Sequence, residues 1–220
     1  MTGGVLTRSL RVVGWLCVSA GSLVALYLIY SLLFTNLLTQ RSQDNLSERW
    51  ELEVGSTDGL AGEGPAGPGG ATPPPVEPGE AVAVLQFARP GSQEPIVSDS
   101  PLFVVEGVGI EDLKRGPGRY PTTDPPGIPG NFAVAGHRTT YLAPFYNLDE
   151  LVNGDEVWVT DRSGKRFTYQ VVEQRVVAPE EDTILGPDPR GTGRPTVTLT
   201  TCNPRFSNAE RLVVFAELAA

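Results

Sequence analysis

Hydrophobic and polar residues change their spacing several times along this chain. Val12–Phe34 is a run of 23 residues without a charge. As a helix at 1.5 Å per residue it would be about 35 Å long, enough to cross a bilayer. A cleavable leader has a shorter apolar core, roughly 7–15 residues, and ends in a small-x-small site. Leu26–Leu38 offers no such site, and the pattern therefore predicts a retained anchor. Leu37–Val54 is mixed, with Leu38, Leu46, Trp50 and Leu52 among its apolar residues. It reads equally as an extension of the anchor helix, with Trp50 near the membrane surface, or as a frayed stalk. Gly55–Glu80 loses all periodicity: Gly and Pro fill 14 of its 26 positions, with four acids and no base. Such a stretch cannot build a core. As a flexible linker it would span on the order of 30 Å and give the distal domain reach from the membrane.

From Ala81 onward the spacing is that of strands. Ala81–Ala88, Pro101–Val108, Asn131–Gly136, Glu156–Thr160, Arg166–Val177, Thr196–Cys202 and Arg211–Leu218 are apolar or alternating runs rich in β-branched residues. Turn signals separate them. Ile110–Arg115 is expected as a helical turn that Gly116-Pro117 breaks, and Leu142–Val152 as a short helix. Pro121–Gly130 and Ala178–Pro195 are Pro- and Gly-bearing loops. Six to eight short strands of this kind predict an all-β domain, a closed or nearly closed barrel. The chain thus divides into an N-terminal segment 1–11, an anchor 12–34, a stalk and linker 35–80 and a folded domain 81–220.

The chemistry concentrates at strand ends. In Thr196–Cys202, Val197, Leu199 and Thr201 share one face, while Thr196, Thr198, Thr200 and Cys202 share the other, away from the expected core face. If this run and Arg211–Leu218 form an antiparallel hairpin, Cys202 ends one strand and Arg211 begins the next. Neighbouring strands are roughly 5 Å apart. The sole histidine, His137, follows Asn131–Gly136 and shares the parity of Ala133 and Ala135. A thiol, an imidazole and a guanidinium at strand ends are the groups that thiol-based acyl transfer needs.

Each residue also has a plainer reading. A free cysteine is commonly a small buried hydrophobe; as a nucleophile it needs a neighbouring cation to favour the thiolate. His137 can be a packed histidine, although one histidine and one available cysteine do not make up a zinc site, which leaves an acid–base role. Arg211 can be a surface ion pair, or it can hold an oxyanion; its pKa excludes it as a base. Thr201 is a packed strand residue or a second oxyanion donor. Tyr120 and Tyr141 are amphipathic loop aromatics or substrate contacts. Glu180, Glu181 and Asp182 form a short acidic cluster that reads as a solvated loop rather than a calcium site.

Composition narrows the class. The formal net charge is −9, which argues against a nucleic-acid partner. Cys17 lies in the apolar run and Cys202 in the distal domain, so the two cannot bridge; an exported Cys202 would be a free, reactive thiol. Arg8 and Arg11 precede the apolar run without any acid, whereas Asp44, Glu48, Glu51 and Glu53 follow it alongside Arg41 and Arg49. That balance favours an N-terminus on the cytoplasmic side.

Three separated motifs carry a family resemblance: Asn131-Phe-Ala-Val-Ala-Gly-His137-Arg-Thr, Thr198-Leu-Thr-Thr-Cys202, and Arg211 nine residues on. Together they resemble the signatures of bacterial sortases from about Ala81 to the C-terminus. Gly116-Pro-Gly-Arg-Tyr120-Pro and Ala135-Gly-His137-Arg-Thr-Thr-Tyr141 are similar to class E sortases of actinobacteria. The resemblance implies an eight-stranded β-barrel with short helical insertions and a membrane-anchored cysteine transpeptidase that needs no cofactor. It further implies cleavage of a C-terminal sorting motif, Leu-Ala-x-Thr-Gly or Leu-Pro-x-Thr-Gly in form, between Thr and Gly. The secreted protein would pass through a Cys202 thioester to an amine on a cell-wall precursor, with His137 as acid and base and Arg211 steadying the oxyanion. Tyr120 matches the tyrosine associated with accepting Ala as the second motif residue. A thiol peptidase that only hydrolyses, and a non-catalytic barrel that binds cell-wall material, remain as alternatives.

Overall fold

The structure, a computed structural model, describes residues 3–54, 76 and 79–219. Most of the expected linker, residues 55–75 and 77–78, lies outside the described residues. A single helix, α1 (Gly3–Glu53), is followed by eight strands. These are β1 (Ala81–Ala88), β2 (Leu102–Glu106), β3 (Gly118–Arg119), β4 (Asn131–Ala135), β5 (Glu156–Asp161), β6 (Arg166–Val177), β7 (Thr196–Asn203) and β8 (Glu210–Leu218). A one-turn helix, α2 (Ile110–Leu113), precedes β3. The strands close into a barrel in the order β1-β2-β3-β4-β7-β8-β6-β5, the all-β architecture that the alternating runs predict.

Inward side chains fill the barrel. Leu85, Val104, Phe132, Val134, Val159, Tyr169, Val197, Leu199 and Val214 belong to one buried cluster. The opposite faces of several strands are covered too, which is why their sequences do not alternate cleanly. Val84, Phe103 and Val105 lie under the end of α1, packed on Leu46 and Trp50. Trp50 and Phe103 meet edge to face at 6.2 Å. Leu46 and Trp50 are both buried, a gain of about 2 kcal/mol each.

Of the two readings of Leu37–Val54, the extended helix is the one observed, and it docks on the barrel. Gln43 pairs with Phe103 almost as a neighbouring strand would, its Nε2 donating to Phe103 O (3.0 Å) and its Oε1 accepting from Phe103 N (2.9 Å). Gln43 reaches that position because Gly116 has no side chain; a Cβ there would stand 2.2 Å from Gln43 Nε2. Arg162 donates to both Ala81 O (2.8 Å) and Glu53 (2.6 Å). Glu53 and Ala81, which flank the expected linker, therefore meet the same arginine, while the expected reach of the linker itself falls on residues outside those described.

Two local expectations differ from the structure. Leu142–Val152 is a series of turns with one 3-10 turn, Leu148–Glu150, because Tyr141, Leu142 and Ala143 take left-handed φ values of 52°, 62° and 46° and Pro144 cannot continue a helix. The two-residue strand β3 is too short to leave a periodic signal. It nevertheless closes the barrel, pairing in parallel with β2 and antiparallel with β4.

Candidate active site

β7 runs between β4 and β8, and its registers fix the site. It pairs in parallel with β4, with Ala135 opposite Thr200. Gly136 N donates to Thr200 O at 3.0 Å, which carries the ladder past the end of β4. Two residues beyond that pair stand His137 and Cys202, on the same parity and hence the same face. Toward β8 the pairing is antiparallel, and Cys202 lies directly opposite Arg211. The expected hairpin is formed, and imidazole, thiol and guanidinium occupy adjacent positions along one rim. That face is not open to solvent along the strand: Thr196, Thr198 and Thr200 are buried. Thr198 donates to Asn131 Oδ1 at 2.7 Å, and Asn131 Nδ2 donates to Ile184 O and Gly186 O in the β6–β7 loop. Burial relaxes only at Cys202, which is half-buried.

Within the site, the Cys202 thiol makes no hydrogen bond among the described residues, to His137 or to Arg211. The three residues share a rim. Burial lowers the pKa of His137 from its ordinary value of 6.5, so the imidazole is neutral near pH 7 and free to take a proton. Arg211 is half-buried and turns onto its own loop, Nη1 donating to Asn208 O and Glu210 O, both at 3.0 Å. No carboxylate among the described residues pairs with it, which leaves its charge available to an incoming oxyanion.

The supporting residues are placed as follows. Thr201 is buried on the core face, its hydroxyl donating to Gly136 O at 2.7 Å; it stitches β7 to the histidine segment, and only its backbone is left to offer a substrate. Tyr120 donates its backbone N–H to Ala133 O, and its hydroxyl shares a 3.2 Å hydrogen bond with Thr200 Oγ1. It therefore sits on the Cys202 face, about 7 Å down the strand. The Tyr141 ring lies 4.9 Å from the His137 ring, tilted by 33°. Gly136 lets Phe145 pack beneath the histidine segment, since a Cβ there would meet Phe145 at 2.5 Å. Glu180 and Asp182 are exposed on the β6–β7 loop.

Arg138 belongs to the site and was not singled out by the sequence. Its side chain is 4% exposed and pairs with Asp149 at 2.9 Å. Nη1 donates to Cys202 O (3.2 Å) and to Asn203 Oδ1 (2.7 Å). One guanidinium thus fixes the end of β7 against the loop that follows His137. Arg205 ties the β7–β8 turn to the same loop, through Asp149 at 2.9 Å and over the Tyr146 ring at 4.3 Å. Helix α1 reaches this loop as well: Leu142 N donates to Asn36 Oδ1 at 3.0 Å. Its docking residues Asn36, Thr39, Gln43, Leu46, Trp50 and Glu53 recur at alternating spacings of three and four, a helical stripe that its polar members disguise.

Comparison with known proteins agrees with this geometry. Residues 97–219 match the family model of the sortase domain. The chain is 28% identical to the Streptomyces coelicolor sortase SrtE2 over 233 residues, covering 98% of this chain and 84% of that protein. Its fold is similar to the solved structure of sortase E from Streptomyces avermitilis, at 37% identity and a TM-score of 0.55, over 66% of this chain and 91% of that one. It is also similar to Streptomyces coelicolor sortase E1 with a tripeptide in the active site, at 28% identity and a TM-score of 0.56, over 64% and 90% of the two chains.

Proposed function

This chain belongs to the sortase family of transpeptidases and resembles its class E members, and from that premise we propose a membrane-anchored cysteine transpeptidase with Cys202, His137 and Arg211 as its catalytic residues. The observation that carries the reading is the pair of registers that sets His137 and Arg211 on either side of Cys202, on one face of one rim.

In the first step the neutral imidazole of His137 takes the thiol proton, and the Cys202 sulfur attacks the Thr–Gly carbonyl of a sorting motif. Negative charge develops on the carbonyl oxygen, where the unpaired guanidinium of Arg211 and a backbone N–H near Thr201 can hold it. Collapse breaks the C–N bond, and the imidazolium gives its proton to the departing glycine amine. The thioester then meets an acceptor amine, which loses its proton to His137 as the new C–N bond forms and the C–S bond breaks. Tyr120, on the thiol's face, lies where the motif would run, and Tyr141 orients the imidazole. The Streptomyces coelicolor relative holds a tripeptide in its active site, in keeping with an extended peptide as donor.

Residues 12–34 would span the bilayer with the N-terminus inside and the catalytic domain, 81–220, outside. In support, α1 is long and apolar enough to cross a membrane, and Leu16, Leu23 and Leu26 are exposed among the described residues. Secreted proteins with a C-terminal sorting signal would be the donors and an amine on a cell-wall precursor the acceptor. The test is mass spectrometry of the full chain incubated with a Leu-Ala-x-Thr-Gly peptide. An acyl adduct on Cys202 is expected, resolved to an amide when an amine is added. A hydrolysed product alone, at saturating amine, would favour a peptidase, and no adduct at all would overturn the reading.

A further inference from the structure

Between α1 and the barrel lies a cavity of about 770 Å³, within the range of ligand pockets, roughly 300–1,000 Å³. Thr39, Gln43, Asp44 and Ser47 form its helical wall, and the β1–β2 loop with Asp99 and Ser100 faces them. Tyr141 and Leu142, just after His137, close one end.

Its position is set by strand order. Val105 pairs with Gly118, and Gly118 with Ala135. The start of β2, the Gly116-Pro117 turn and His137 therefore occupy the same end of the barrel. Tyr141 lines the cavity and also contacts the His137 ring, so the cavity approaches the site from the histidine side. Tyr120 and the covered threonine face of β7 lie further down the strand from the thiol. The substrate that must surrender a proton to His137 would arrive on the histidine side.

The lining chemistry fits that substrate. Its charged residues are Asp44 and Asp99, and no Lys, Arg or His lines it; the rest is hydroxyl, amide and apolar surface. An ammonium group and a short peptide are the complementary ligand. The helical wall also continues the proposed membrane span: Thr39 is five residues past Phe34, about 7.5 Å along the axis. A ligand carried on the same membrane surface would reach the cavity without leaving its lipid.

We propose that this cavity is the acceptor subsite, taking a membrane-tethered peptide that presents a primary amine, with the juxtamembrane part of α1 as a working wall. The proposal rests on the transpeptidase reading above. The carboxylates attract the ammonium form; it loses one proton to solvent to become the neutral amine, which attacks the thioester and gives its second proton to His137 as the C–N bond forms and the Cys202 thiolate leaves.

The test uses the full chain in nanodiscs, a Leu-Ala-x-Thr-Gly donor and triglycine amide as the acceptor probe. Ser100→Trp fills the cavity from an exposed loop, and Asp44→Asn with Asp99→Asn removes its charge. Both variants should hydrolyse the donor, without amine, within about twofold of the unaltered chain. Ser100→Trp should raise the acceptor KM severalfold and shift the products from amide to acid. The double Asn variant should raise it about threefold at low salt and lose the salt dependence that the unaltered chain shows. Unchanged partition in both variants would overturn the proposal, as would a parallel loss of hydrolysis, since the cavity would then serve the donor or the fold. If the unaltered chain itself forms no acyl adduct, the enzymatic reading fails first.

Discussion

Replacing Arg138 by Met tests whether the rim is held from behind by one buried guanidinium. The substitution keeps much of the side-chain volume and removes three polar contacts. Asp149 is 40% exposed and also pairs with Arg205, so solvent and its second partner compensate for most of that loss. Cys202 O and Asn203 Oδ1 are less well placed, because the group facing them becomes apolar. Charge-assisted hydrogen bonds are worth about 1.5–3 kcal/mol each; two that share one Nη1 and are only partly buried should cost about 2–4 kcal/mol together. For a domain of this size 1 kcal/mol moves Tm by about 2–4 °C, so Arg138→Met should melt about 5–15 °C lower.

Turnover should fall as well. The lost bonds fix the backbone of Cys202, the proposed nucleophile, and its displacement should cost kcat more than KM, by about tenfold or more. Arg138→Lys should fall between, since one ammonium cannot serve a carbonyl, an amide and a carboxylate that a planar fork reaches at once. Asp149→Asn should cost less than about 1 kcal/mol. Thermal melts of the full chain in detergent and single-turnover acylation with a sorting peptide read both quantities. An Arg138→Met variant with unaltered Tm and acylation rate would refute the reasoning.

Cys202→Ala should abolish acyl-adduct formation and leave the melt nearly unchanged, because its thiol bonds nothing among the described residues; residual turnover would point to another nucleophile. For His137 the folded pKa lies below the ordinary 6.5, so the unfolded chain takes up the proton first. Stability should fall as pH drops below about 6.5, a loss that His137→Gln should lack in melts from pH 7.5 to 5, and the acid limb of kcat/KM should lie below 6.5. Asp155 has its pKa lowered from 3.8 by its bidentate partner Arg89; that stability is present above 3.8 and lost as pH falls further. Arg89→Leu should flatten the decline of Tm between pH 4 and 2.5. Tyr120→Phe removes only the bond to Thr200, and should change the ratio of kcat/KM for Leu-Ala-x-Thr-Gly over Leu-Pro-x-Thr-Gly donors by more than it changes Tm.

The barrel and its rim were legible because both depend on period-two patterns. Parity alone put Cys202 with the threonines and His137 with Ala133 and Ala135, and the hairpin with Arg211 needed only a turn of plausible length. The strand pattern did not reveal that the threonine face is covered. Thr198 and Thr200 look solvent-facing because they are polar, yet Asn131 and Tyr120 supply the hydrogen bonds that let them be buried. Arg138 carries no spacing signal of its own; only the fold brings Cys202 O to it. The docking stripe of α1 escaped for a related reason. Four of its six members are Asn, Thr, Gln and Glu, so a search for apolar residues at three-four spacing finds Leu46 and Trp50 alone.

That stripe changes what α1 does. Leu46 and Trp50 are buried and Gln43 pairs with β2, while Asn36 holds the loop after His137 and Glu53 meets the arginine that binds the first residue of β1. A linker of 26 residues whose ends meet at Arg162 costs only loop-closure entropy, which grows with the logarithm of its length. Lengthening it should therefore leave the catalytic rim where it is, whereas polar substitutions on the stripe should free the domain from its helix. In such a fold the helix that would cross the bilayer also sets the height and orientation of the thiol above it. If residues 12–34 span the bilayer, reach becomes a property of the docked helix, and the distance at which an acceptor could be met would be set by about five residues of helix.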